Sequence, residues 1–140
     1  MSDFVLDPRL ASDCHILGRL DNTLLLLMDN ALVPWMILVP MVEVTELHEL
    51  EWESQLQIMD QINLVSNYLK NSCAVDKINV AAIGNIVRQL HIHVVGRSEA
   101  DYCWPNVVWG AEGRKAYSEQ EIANTVASVI RSLGDRLTPA

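Results

Sequence analysis

The feature that most constrains this chain is the alternation in Gln89–Val95, QLHIHVV. Successive side chains of a strand point to opposite faces, so Gln89, His91 and His93 share one face while Leu90, Ile92 and Val94 share the other. The apolar face must seek a core. The opposite face carries two imidazoles, the side chains whose protonation changes nearest neutral pH. On the wet side of a sheet they would be ordinary surface histidines; beside further polar donors they become a reactive pair.

The rest of the chain supplies a frame for that strand. Its 140 residues are read as one domain spanning 1–140, long enough to bury a core without staples. Asp7-Pro8-Arg9-Leu10 suits a turn or one-turn helix. His15–Leu20 and Thr23–Met28 are apolar runs joined by Asp21-Asn22, a hairpin signal, and Trp35–Val39 makes a third strand ended by Pro40. A long helix is expected over Glu46–Lys70, capped by Thr45, with Trp52, Leu56, Met59, Ile62, Val65 and Leu69 as one apolar stripe. Lys77–Ile83 and Gln89–Val95 read as two strands joined through Gly84–Arg88, the second ended by Gly96. Ser118-x-x-Glu121 is a capping box opening a second helix, closed by Gly134. Three strands, a helix, two strands and a helix make an α+β domain on a five-stranded antiparallel sheet with two helices.

The hairpin brings more polar groups to the histidine face. If Ile83 pairs with Gln89, the register sets Asn79 opposite His93, and Asn85 offers a second amide from the connection. Two imidazoles with amide donors suit a phosphate: one ring attacks or moves a proton, and the others hold oxygens. Metal chelation by His-x-His is the competing reading. It lacks a third ligand close by, the carboxylates Glu99 and Asp101 lying in the following loop, and it ranks well behind.

The run QLHIHVV resembles the histidine triad motif of the HIT superfamily of nucleotide hydrolases and transferases, and the order of elements is similar to that fold from about Asp13 to Arg97. KINVAAIGN…QLHIHV together with LDPRL is similar to a group of small bacterial HIT-family proteins. The resemblance implies His91 as nucleophile and His93 as a ligand of the phosphate and leaving group. It implies Asn79 and Asn85 near the phosphate and Asp29 on the ribose hydroxyls, although Asp29-Asn30 is also ordinary turn chemistry. The chain departs from the motif at the first histidine, replaced by Gln89, which keeps the backbone carbonyl that orients the nucleophilic ring. The expected activity is hydrolysis or transfer at the α-phosphate of a nucleoside phosphoramidate, dinucleoside polyphosphate or similar adduct, through a nucleotidyl-histidine. A nucleotide-binding sensor with little turnover is the alternative, and a metal-binding module a more distant one. No cofactor is expected, though a divalent metal can accompany a polyphosphate substrate. A homodimer is expected by the same resemblance.

Charge and composition narrow the partners. Ten Lys and Arg against 18 Asp and Glu leave a net charge of -8, which disfavours general nucleic-acid binding but not a small phosphorylated ligand. Cys14, Cys73 and Cys103 are widely spaced and form no CxxC pair, so neither a disulfide framework nor a thiolate knuckle is expected. The apolar stretch Leu24–Val44 is interrupted by Asp29, Asn30, Pro34 and Pro40, so no membrane span is expected. The N-terminal MSDFVLDPRL lacks a signal peptide's order, and a cytoplasmic protein is the expectation. Met28, Met36, Met41 and Met59 are expected in the core. Arg88 and Arg97 are taken as surface charges that raise the local potential. The segment from Trp104 to Trp109 is expected to pack on the core or a partner, with shaping of a substrate pocket as the other reading.

Overall fold

In the computed structural model, which describes residues 3–140, Asp21 and Asn22 turn the chain between β1 (Cys14–Leu20) and β2 (Thr23–Met28). Met1 and Ser2 of the N-terminal stretch lie outside the described residues. Asp21 takes φ 52°, a left-handed value that aspartate tolerates, and Leu20 pairs with Thr23 as the hairpin signal predicts. β3 (Trp35–Pro40) pairs with β2 on one side and with β5 (Ile92–Arg97) on the other, and β4 (Lys77–Ala81) flanks β5. All these pairings are antiparallel.

The sheet has six strands rather than five, in the order β4-β5-β3-β2-β1-β6. The added strand, β6 (Thr138–Pro139), pairs with Gly18 and Arg19. It is too short for any alternation to announce it. It fits because Gly18 has no side chain: a Cβ there would lie 2.5 Å from the Thr138 carbonyl oxygen.

Among the described residues, three α-helices cover the sheet. α1 (Pro8–Asp13) is capped by Asp7, whose carboxylate accepts from the Arg9 amide at 2.8 Å, with proline in the first turn. α3 (Glu119–Leu133) has the predicted capping box: the Glu121 amide donates to Ser118 Oγ, and the Ser118 amide to Glu121 Oε1. α2 (Trp52–Ser72) begins later than expected, with Glu51 rather than Thr45 at its N-cap. Residues 47–49 form a separate 3-10 turn, closed by the Glu46 amide on Glu49 Oε1.

The apolar stripe of α2 divides in two. Ile62, Val65 and Leu69 are buried, whereas Trp52, Leu56 and Met59 are 70%, 54% and 55% exposed. Each step of three residues falls about 60° short of a full turn. Three such steps in succession, from Leu56 to Val65, rotate the stripe off the core face. Ile58 and Gln61 take the buried side instead. Met59 is therefore not core, contrary to expectation.

Each face of the sheet has its own core. On one, Leu17, Leu25, Leu38, Ile92 and Val94 pack against α2 and α3. On the other, Trp35, Ile37, Val39 and Val95 pack against Leu10 of α1 and against Val33 and Val108 from loops. The histidines belong to this second face.

Candidate active site

The hairpin that carries the site is wider than the sequence implies. β5 starts at Ile92, leaving Gln89 and His91 ahead of the strand, and it runs through Gly96 to Arg97. Glycine is required there for close approach: a Cβ on Gly96 would sit 2.7 Å from Val75 Cγ1 and 2.9 Å from Pro34 Cγ. Ala81 therefore lies opposite His93, and Asn79 opposite Val95. The register differs by two residues from the expected one, which keeps Asn79 on the histidine face but moves it along the strand. There its Oδ1 accepts from Arg97 Nη1 at 3.0 Å.

The histidine face is not wet. His91 and His93 are each 6% exposed, so the reading of ordinary surface histidines fails. They line a cavity of about 780 Å³ with Trp35, Trp109, Ile83 and Ile86. Asn85 also lines it, from the β4–β5 connection. Arg9 and Asp13 of α1, Asn30, Tyr102 and Arg114 complete its polar lining.

Two hydrogen bonds define the rings. His91 Nδ1 lies 2.7 Å from the Gln89 carbonyl oxygen. A carbonyl only accepts, so Nδ1 carries the proton and Nε2 is left with a free lone pair. His93 is held in the opposite sense: Trp35 Nε1–H donates to His93 Nδ1 at 3.0 Å, in a buried contact. An indole nitrogen only donates, so His93 Nδ1 is unprotonated and the neutral ring carries its proton on Nε2. The rings lie 4.9 Å apart at 66°. Burial, then the neighbouring His91, push the His93 pKa down to about 4, so this ring is neutral at pH 7. The pair thus has one lone pair and one N–H available at the two Nε2 atoms.

Gln89 and Asp29 are engaged elsewhere. Gln89 Oε1 accepts from the Asp7 amide at 2.8 Å and its Nε2 donates to the Val5 carbonyl at 2.9 Å. The side chain pins the N-terminal segment, while the backbone carbonyl orients His91. Asp29 does not line the cavity; its carboxylate accepts from the Tyr117 amide at 3.0 Å and lies 3.1 Å from His15 Nε2. The Tyr117 amide, then His15, holds this carboxyl below the usual range. Its neighbour Asn30 lines the cavity instead.

Arg97 is 1% exposed and is not the expected surface charge. It donates to both carboxylate oxygens of Asp101, at 2.8 and 3.1 Å, and to the Asn106 carbonyl at 2.8 Å. The Trp104 ring lies 5.7 Å from its guanidinium. This network anchors the segment that ends in Trp109, whose ring meets His93 edge-on at 5.4 Å. Trp104 thus packs on Arg97, whereas Trp109 shapes the cavity. Arg114 crosses from the C-terminal segment to the Asp29 and Asp13 carbonyls. Among the described residues, no group of three or more His, Cys, Asp or Glu is placed to hold a metal ion, and no helix is long and apolar enough to cross a membrane.

Sequence reasoning missed Trp35, Arg9 and Arg114 as lining residues. Trp35 reads as one more apolar position in a strand, and the two arginines carry no motif. The aromatic segment around Trp109 was the visible signal.

A family model described as the HIT domain matches residues 9–100. The chain belongs to the HIT family. No curated protein matches it. Among solved structures of HIT-family proteins, the chain is similar to a histidine triad protein from Marinobacter aquaeolei, with 38% identity and a TM-score of 0.91, covering 96% of this chain and 98% of that one. A second, from Sinorhizobium meliloti, is 39% identical with a TM-score of 0.90, covering 94% and 98%. A third, from Bradyrhizobium japonicum, is 35% identical with a TM-score of 0.89, covering 92% and 97%. Membership of the HIT family assigns the α+β fold and a nucleotide-directed site.

Proposed function

We propose that this HIT-family protein hydrolyses or transfers a nucleotidyl group at the α-phosphate of a nucleoside phosphoramidate, dinucleoside polyphosphate or similar adduct. The observation that carries the reading is the 2.7 Å contact of His91 Nδ1 with the Gln89 carbonyl, which leaves Nε2 free to attack. In the first step the His91 Nε2 lone pair forms a bond to phosphorus and the bond to the leaving group breaks, its electron pair departing with that group. Water then attacks phosphorus and the phosphorus–Nε2 bond breaks, its electron pair returning to the ring, while the proton that water loses passes to solvent or to the departed group. Dividing the reaction replaces a poorly positioned water with a fixed nucleophile. His93 Nε2–H and the Asn85 amide hold phosphate oxygens; a fixed donor of this kind is worth about 2.7–4 kcal/mol when removed.

A second reading, a nucleotide sensor without turnover, draws support from Gln89. Where the motif has its first imidazole, this chain has an amide already bonded to Asp7 and Val5. Rapid acid-sensitive trapping decides between them. Labelled nucleotide substrate, quenched during turnover, is expected to leave an acid-labile adduct on the peptide bearing His91. Label on His93 would overturn the assignment of the nucleophile. Binding with neither adduct nor product, over the three substrate classes, would establish the sensor.

The chain is further proposed to act as a cytoplasmic homodimer on small-molecule nucleotides rather than nucleic acids. Three free cysteines accord with a reducing compartment, the net charge of -8 with a partner other than nucleic acid, and exposed Trp52, Leu56 and Met59 on one face of α2 with a second copy. Light scattering that finds a monomer at micromolar concentration would remove the dimer.

A further inference from the structure

We infer that Trp35 is a positioning residue that sets the tautomer of His93 and keeps its Nε2–H as a neutral donor toward the bound phosphate. The inference rests on the proposed activity for its catalytic consequence, but its structural half stands apart from it. Trp35 begins β3, and His93 pairs with Ile37 two residues further along that strand, so all three side chains share one face of the sheet. The indole reaches diagonally to His93 Nδ1 at 3.0 Å, with the two rings 5.8 Å apart and 61° from coplanar. Trp109 meets both edge-on, Trp35 at 6.0 Å and His93 at 5.4 Å, and the three rings form one aromatic cluster.

An imidazole held this way has one nitrogen occupied as an acceptor, which assigns its proton to the other. The consequence concerns both histidines. His93 cannot attack through Nδ1, which the indole covers, nor through Nε2, which is protonated. Protonating Nδ1 would break the Trp35 bond in a buried site, so the ring resists becoming a cation. His93 then acts as a hydrogen-bond donor of constant charge, and the free imidazole lone pair of the site belongs to His91. The charged and titratable groups that line the same cavity are His91, Tyr102, Arg9, Asp13 and Arg114. Gln89 and Trp35 therefore do complementary work: a carbonyl fixes one ring as nucleophile and an indole fixes the other as donor.

The test begins with wild-type protein. Long-range ¹H–¹⁵N correlation of the histidine rings at pH 7 should show His93 protonated on Nε2 and His91 on Nδ1. His93 protonated on Nδ1 would overturn the proposal without any variant. Trp35→Phe keeps most of the buried ring and removes only the donor. It should give His93 mixed tautomers, move its titration to higher pH, and lower kcat by roughly 10- to 100-fold with a smaller change in KM. An unchanged tautomer and an unchanged titration of His93, both read from the ring nitrogens of folded Trp35→Phe, would refute the role. If the tautomers respond as expected but wild type turns over no nucleotide, the positioning of His93 stands and the proposed activity falls.

Discussion

In β3 and β5 both faces of the sheet are buried, but by different physics. On the helical face, Leu25, Leu38, Ile92 and Val94 meet Val65 and Leu69 of α2 and Val129 of α3. Those contacts are non-directional, and an apolar side chain of similar volume would hold the layer together. On the other face, His91, His93 and Arg97 are buried under α1 and the irregular segment 101–117. Each of these polar groups has a named partner: the Gln89 carbonyl, the Trp35 indole and the Asp101 carboxylate. The contrast teaches that burial can serve stability on one side and geometry on the other. A buried polar group left without its partner costs far more than a trimmed methyl group.

Substitutions that separate the two faces test this division, beginning with the largest effect. His91→Ala should lower kcat by roughly 10⁴-fold or more, the scale of losing a nucleophile, while nucleotide binding measured by calorimetry persists. His93→Ala should weaken both binding and turnover without abolishing chemistry, so the two histidines are not interchangeable. Full activity in His91→Ala would erase the distinction between a geometric face and a packing face.

Asp101→Ala comes next. It strands a guanidinium that is 1% exposed, and breaking a buried pair in this way costs about 3–5 kcal/mol. Because Arg97 also anchors the segment carrying Trp109, denaturant melting and nucleotide affinity should fall together. On the helical face the two should come apart. Leu69→Ala removes a fully buried side chain and should cost about 3 kcal/mol, within the range of such cavities, with kcat and KM little changed at a temperature where the variant is folded. A loss of activity as large as the loss of stability would show that the faces are coupled.

The smallest effect is in pH. A histidine whose folded pKa is about 4, against 6.5 when unfolded, favours the folded state fully only above pH 6.5. As pH falls from 6.5 toward 4 the unfolded chain binds a proton that folded His93 refuses, and that stability is lost. Between pH 7 and 5 the loss is on the order of 2 kcal/mol. Denaturant titrations at the two pH values should show it in wild type and show it reduced in His93→Gln. An equal slope in both would mean that His93 titrates normally in the folded protein.

The sequence by itself determined the elements whose signals are local. Asp21-Asn22 made the hairpin, Ser118 and Glu121 the start of α3, and the alternation in QLHIHVV put both histidines on one face. Nearest neighbours in sequence carry those signals, because caps, turns and strand alternation depend on a few consecutive residues. The histidine pair and Asn85 could be singled out in the same way. Tertiary structure decided the rest. The strand register moved by two residues because Gly96 packs under Val75 and Pro34 and lets β5 run on to Arg97. The α2 stripe left the core because a run of three-residue steps precesses around a helix. β6 exists because Gly18 admits Thr138 from the far end of the chain. Above all, the tautomer of His93 is set by Trp35, 58 residues away, whose apolar pattern is that of any buried strand position. A hydrogen bond between residues so distant has no trace in local sequence, since only the folded sheet brings donor and acceptor within 3.0 Å.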